Sequence, residues 1–531
     1  MNQHRIASVA LLALVAAIGG QTAAAAAADS AAPQAAGAAH ADAPGIAWFS
    51  GSVEQAFASA KAQNRPVFLY WGASWCPPCQ QLKATVFTRP DFIRTTQLFV
   101  PVYLDGDEPG AQKWGETFKV VGYPTLVVLD AQRAEIARIA GSMDLSQFAS
   151  VLDSALGALQ PASKLLTEAA RRPLNLSECR RLAYNGWILE PPDQVVPARL
   201  ARQLSSAATH CPADAQAERA RLQVIAAYFA AAAAAPAAAG KPVSAALKAS
   251  ISDVLAILAQ PQLADSVADV LQWLDESFFH ALAAERPTLV PTALAEYIAA
   301  MDSHAGDSRY AAADQLGSVA AKLTAIKALG PGGIIPKPEI AAANARIDAA
   351  LAANQLPYLR SGIINSALHT YDVADENELG YTLLKGELDH TATPYYYEAD
   401  LADLCEALGR KDEAVTWLAR AYRESQGAAT RFQWGALYAS GLMRMQPERA
   451  DEIATVTGQV LDELGGPDRI YQRARLRLGK LDKDLQAWND AAKGAHRDVL
   501  HTLRGRMQQI CGKIPGTEPA RQSCDAFLAR A

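Results

Sequence analysis

The sequence predicts two kinds of structure in one chain. An α/β unit with a central mixed sheet flanked by helices covers residues 46–158, and a large all-α region of helical hairpins covers 160–531. Up to about residue 157, short apolar runs bounded by turn residues alternate with helical periods. From Pro161 onward β-branched alternation nearly vanishes and alanine is abundant. Helical periods there are broken by clusters such as Ala235-Pro236, Gly330-Pro331-Gly332-Gly333 and Gly465-Gly466-Pro467. Length adds a third argument, because 531 residues exceed what one hydrophobic core organises.

The first unit reads in order. Ser52 caps a helix that ends near Gln63, and Val67-Phe68-Leu69-Tyr70-Trp71 is a buried strand. The strand leads into Cys76-Pro77-Pro78-Cys79, after which Gln80, Leu82, Lys83, Val86 and Phe87 carry a helical pattern. Residues 99–104 form a second strand and 111–118 a helix. Leu126–Leu129 and Glu135–Ile139 pair as an antiparallel hairpin around Asp130-Ala131-Gln132-Arg133, and a closing helix starts at Asp144. The order is βα, βα, ββα.

In the helical region, breaks near 240 and 335 suggest subdivision. Between Glu398 and Gln426, Leu401, Ala402, Gly409, Ala414, Leu418 and Ala421 fall where a helical hairpin needs large and small packing residues, and Thr393-Pro394 suits an N-cap followed by proline at the first helical position. This stretch, around 394–445, resembles a tetratricopeptide unit. It departs from that pattern at Glu398, Cys405 and Gln426, and three in-register copies are absent. An ordinary helical hairpin accounts for it equally well.

The N-terminus has the form of an export signal: a positive start ending at Arg5, an apolar stretch over 6–20, and Ala-x-Ala cleavage choices within 21–29. The apolar stretch is shorter than the roughly 20 residues that span a bilayer. Cleavage is therefore expected over retention as an anchor, leaving residues 29–45 as a disordered Ala/Pro-rich linker. No cysteine precedes Cys76, so lipid attachment at a processed N-terminal cysteine is excluded. The expected location is periplasmic or otherwise exported, with no membrane span in the mature form. A net charge of −6 and the lack of a basic run argue against nucleic acid as a partner.

In an oxidising compartment paired cysteines tend to be oxidised. Cys511 and Cys524 flank a Gly/Pro-containing turn, and Cys179 and Cys211 lie in adjacent helical segments, so each pair can staple neighbouring helices. Connectivity itself is not legible in sequence. Cys405 lies on an apolar helical face and reads as a small core residue.

The Cys76-x-x-Cys79 motif carries the chemistry. Two cysteines at this spacing can form a mixed disulfide on the first sulfur and resolve it with the second, provided the first thiol sits at a helix N-terminus that stabilises its thiolate. Lowering a thiol pKa from about 8.5 to about 7 takes roughly 2 kcal/mol. Half of a zinc site is the competing reading, but no second Cys/His pair follows at the required spacing, and the histidines are scattered. No metal is expected, and no cofactor beyond the redox-active cysteine pair.

Residues 46–157 resemble the thioredoxin fold, in the branch of exported thioredoxin-like proteins. The resemblance rests on Trp75-Cys76-Pro77-Pro78-Cys79, the strand before it, and Gly122-Tyr123-Pro124-Thr125 downstream. It implies Cys76 as nucleophile, Cys79 as resolving thiol, a cis peptide at Pro124 facing the disulfide, and Trp75, Tyr123 and Pro124 on the substrate side. Core packing is the alternative for either aromatic. Two departures stand out. Neither Pro77 nor Pro78 has an N–H to give the thiolate. Tyr70 occupies the position where thioredoxins carry a buried aspartate that relays a proton to the resolving thiol. Water, the Tyr70 hydroxyl or another group must then serve; Lys83 and Glu54 are near only in sequence.

Two functions follow. One is an exported thiol–disulfide oxidoreductase exchanging disulfides with protein thiols and disulfides. The resemblance favours the reductase direction, with a membrane-bound electron donor as a possible partner and the helical region recognising clients. The other is an interaction scaffold in which the helical array binds partners and the thioredoxin-like unit is a docking module.

Overall fold

The computed structural model describes residues 45–139, 160–190, 195–234 and 242–530, apart from positions 109, 121, 428, 467, 468 and 513. The export signal, the linker up to residue 44, the closing helix from Asp144 and the break at Ala235-Pro236 lie outside the described residues.

Helix α1 (Val53–Gln63) opens with a reciprocal capping box between Ser52 and Gln55 and closes on left-handed Asn64. Strand β1 (Val67–Gly72) is buried along its whole length. It is followed by α2 (Pro77–Thr85), α3 (Pro90–Thr96), β2 (Val100–Asp105), α4 (Ala111–Thr117), β3 (Thr125–Leu129) and β4 (Glu135–Ile139). The sheet order is β2-β1-β3-β4. β1 pairs parallel with β2 and antiparallel with β3, and β3 pairs antiparallel with β4. The second strand, the 111–118 helix and the hairpin thus stand within a residue of where the sequence places them. Helix α3, started by Pro90, adds a short element between α2 and β2.

Because strand side chains alternate, the sheet builds two cores. Phe68, Tyr70, Leu126 and Val128 pack with the cysteine pair, Phe87, Phe92 and Phe99 on one face. Val67, Leu69, Trp71, Val127 and Leu129 pack with Phe57, Trp114 and Phe118 on the other. Helices on both faces of a buried sheet leave its strand ends as the place for chemistry, and Cys76 stands just beyond the C-terminal end of β1.

After residue 160 every described element is helical. One core runs from Ala162 to Ala325 and a second from Ala305 to Leu528. Helix Ala312–Leu329 contributes Leu316, Val319 and Leu323 to the second and Ala321 and Ala325 to the first, so it joins them. Across the Gly/Pro cluster at 330–338, which holds a short 3-10 helix at Pro331–Gly333, Ile335 and Ile347 share a core with Leu323 and Ile326. Helices Pro394–Ala407 and Lys411–Glu424 form the expected hairpin around Gly409, whose φ of +77° suits glycine. Disulfides Cys179–Cys211 and Cys511–Cys524 staple neighbouring helices, and Cys405 is a buried free thiol whose pKa burial pushes up to about 12.

Candidate active site

Cys76 is the N-cap of α2, in extended backbone, with Pro77 and Pro78 filling the first two helical positions. Prolines there cost the helix nothing, because those N–H groups would lack intrahelical partners anyway. The consequence is local: the first N–H that reaches the Cys76 sulfur is that of Cys79, at 3.2 Å. Cys76 and Cys79 are disulfide-bonded, with Cα atoms 5.2 Å apart. Both are buried, Cys76 at 2 % exposure and Cys79 at 0 %.

The loop before Cys76 is held by a carboxylate that sequence reasoning missed. Asp105, at the end of β2, accepts from Ser74 N at 3.0 Å and from the Tyr103 hydroxyl at 3.2 Å. Lys83 lies over the Tyr103 ring, 4.5 Å from its centroid, and its Nζ donates to the Tyr103 oxygen at 3.3 Å. A second carboxylate, Asp107, accepts from Trp75 Nε1 at 2.5 Å. An Asp-Gly-Asp sequence leaving a strand beside the motif was the available signal for both. Glu54, by contrast, is an exposed residue of α1.

Tyr123–Pro124 is a cis peptide, as the resemblance implies. The Tyr123 ring meets Trp75 edge-on at 5.5 Å and stacks on Trp71 at 5.9 Å. Burial holds its phenol above the ordinary value, against the opposing pull of Arg473. Trp75, Tyr123 and Pro124 are each half-buried, and the two aromatics pack against the core cluster that holds the cysteine pair.

Tyr70 shares a core with Cys79, but its ring is fully buried, stacked on Tyr103 at 5.1 Å and edge-on to Phe87 at 4.9 Å. Among the described residues its hydroxyl finds no hydrogen-bond partner. Burial, and then Asp105, raise its pKa far above the ordinary range. A phenol in that state keeps its proton and cannot take one from Cys79. Among the described residues no group of three His, Cys, Asp or Glu side chains is placed to hold a metal ion.

The helical region reaches this site from several directions. Thr393 is the N-cap residue of Pro394–Ala407 but makes no side-chain cap; its Oγ1 lies 3.4 Å from the Trp75 carbonyl. Tyr396 approaches the Trp75 ring at 6.3 Å. Asp107 accepts from Ala429 N, Thr430 N and Thr430 Oγ1, at the start of helix Thr430–Met445. The Arg473 guanidinium covers the Tyr123 ring at 4.6 Å, and Arg475 pairs with Glu116 at 2.8 Å.

Residues 53–156 match the family model described as a thioredoxin-like domain. Among solved structures, the chain is similar to a thioredoxin from Thermus thermophilus, 27% identical, covering 22% of this chain and 94% of that one with a TM-score of 0.19. No curated protein matches the chain. Among the described residues no helix is long and apolar enough to cross a membrane. With its cysteine pair at the helix N-terminus and its mixed four-stranded sheet, the segment 53–156 is a thioredoxin-like domain, followed by a large all-helical region outside the match.

Proposed function

We propose that the protein is an exported thiol–disulfide oxidoreductase that reduces protein disulfides through Cys76 and Cys79. The observation that carries this reading is the Cys76 sulfur at the N-cap of α2, receiving the Cys79 N–H at the positive end of the helix dipole. In the reduced protein the Cys76 thiolate attacks one sulfur of a client disulfide. A Cys76–client bond forms, and the other client sulfur leaves as a thiolate and takes a proton. Cys79 then loses its proton, attacks Cys76 and releases the second client thiol, so two electrons pass to the client and the Cys76–Cys79 disulfide forms. A dithiol donor, membrane-bound in this reading, returns the electrons. Trp75, Tyr123 and Pro124 form the client-facing surface.

Asp105 is the carboxylate we assign to the proton path that Tyr70 does not supply, acting through water, since it is tied to the Ser74–Trp75 loop and to Tyr103. The decisive experiment is a Cys79→Ser variant, which should accumulate mixed disulfides with clients through Cys76. Thiol alkylation of the cysteine pair in cells fixes the direction, a mostly reduced pair meaning reductase. A scaffold reading draws on the packing of the helical array against Trp75. Loss of mixed disulfides in Cys79→Ser with retained partner binding would select it.

A further inference from the structure

The disulfide is buried, and the helical region packs on the loop and the helix that carry it. Segments far apart in the helical region converge on the face where a thioredoxin-like domain meets its clients. Thr393 and Tyr396 stand against Trp75, Arg473 lies over Tyr123, and residues 429–430 are bound to Asp107. Helix Pro357–Val373 packs on α2 so closely that a Cβ at Gly362 would come 2.2 Å from Gln81 Oε1. Gly427 shows the same intimacy: its φ is +89°, and a Cβ there would stand 2.5 Å from the Asp107 carboxyl carbon.

We infer that the helical array is a built-in cover over the redox disulfide, with Asp107, Thr430 and Arg473 as its fastening, and that it decides which partners reach Cys76. The inference rests on the exchange activity proposed above. Asp107 is the junction, because one carboxylate serves both sides: Trp75 Nε1 from the domain, and two backbone N–H groups and a hydroxyl from the start of helix Thr430–Met445. Thr430 N also reaches the Gly427 carbonyl at 3.1 Å, so the Asp107 carboxylate caps the helix start alongside that turn, through Ala429 N, Thr430 N and the Thr430 hydroxyl. The Arg473 guanidinium gains a second hold through the Tyr123 ring. A dithiol the size of dithiothreitol needs only a narrow path to a buried sulfur. A protein dithiol needs the whole Trp75–Tyr123 face, and hence the array displaced. Its rate should scale with the fraction of molecules that are open.

The test compares reduction of the Cys76–Cys79 disulfide in the full-length oxidised protein by dithiothreitol and by reduced thioredoxin. In both cases a reductant thiolate forms a bond to one cysteine sulfur, the other leaves as a thiolate and takes a proton, and the second reductant thiol completes the two-electron transfer. Thr430→Ala/Arg473→Ala loosens the cover while leaving Trp75 and Asp107 in place; Arg473→Ala alone is the milder variant. The rate with thioredoxin should rise about tenfold in the double variant and less in the single one, while the rate with dithiothreitol changes less than about twofold. The dithiothreitol rate also reports that the redox domain remains folded. Unchanged ratios between the two reductants in both variants would overturn the cover. If the ratio shifts as expected but no variant reduces a protein disulfide, the exchange function fails and the cover stands.

Discussion

Trp75 and Asp107 are joined by a 2.5 Å hydrogen bond from the indole Nε1 to Oδ2, and the same carboxylate binds the start of a helix more than three hundred positions later, at a separation of 323 for Thr430. Burial raises the Asp107 pKa, while its bonds to Trp75 and Thr430 oppose that rise. A carboxylate suits the position because Trp75 Nε1, Ala429 N, Thr430 N and Thr430 Oγ1 all donate to it, although the nearby Asp105 carboxylate adds to the rise in pKa. In Asp107→Asn one side-chain atom becomes an amide that must face a donor. We expect a loss of about 1–3 kcal/mol, seen as a lower urea midpoint together with altered Trp75 emission. An unchanged midpoint would mean that the carboxylate bonds contribute no net stability.

The paired prolines set a second expectation. Among the described residues only the Cys79 N–H reaches the Cys76 sulfur, so its thiolate has fewer donors than a helix N-terminus can offer. Pro78→Ala restores an N–H at the second helical position without extending a side chain into the core. The Cys76 pKa in the reduced protein should fall by on the order of one unit, read from the pH dependence of alkylation. Cys76 ionised well below pH 6 in the unmodified protein would contradict the argument.

What sequence reveals here divides by the range of the interaction. The cysteine motif, the capping box at Ser52, the hairpin around Asp130 and Tyr123-Pro124 are local patterns, each fixed by a few adjacent residues. The helical hairpin at 394–424 is legible for the same reason. Thr393 looks like a helix cap because it precedes a proline, yet its hydroxyl lies against Trp75, 318 positions away. Asp105 and Asp107 look like ordinary turn residues until β2 places them beside the loop of β1. From position alone Tyr70 is a relay candidate, and its packing against Tyr103 and Phe87 is what makes it a hydroxyl that holds its proton.

The staples should differ in worth. Cys179–Cys211 closes a longer segment, with a separation of 32 against 13 for Cys511–Cys524. Chain-entropy reasoning gives about 4 kcal/mol for the first and about 3 for the second. Denaturant unfolding of Cys179→Ala/Cys211→Ala and Cys511→Ala/Cys524→Ala should therefore show losses of this order, larger for the first pair. Equal midpoints for both variants and the parent would show that packing alone holds these helices.

Glu398 supplies a pH dependence unrelated to the redox site. Its side chain is fully buried, and Arg420 Nε stands 2.8 Å from Oε1 outside hydrogen-bond geometry, so among the described residues neither oxygen gains a hydrogen bond. Burial raises its pKa from the ordinary 4.5 to about 7, with Arg420 opposing and Glu424 adding to the rise. The native state then holds this proton at pH values where the unfolded chain has lost it. The contribution of Glu398 to stability is greatest below about pH 4.5, falls as pH rises toward 7, and is level above that. Glu398→Gln keeps the volume and removes the titration. Its urea midpoint relative to the parent should rise between pH 5 and pH 8, and a difference that stays constant across that window would show that Glu398 is ionised throughout.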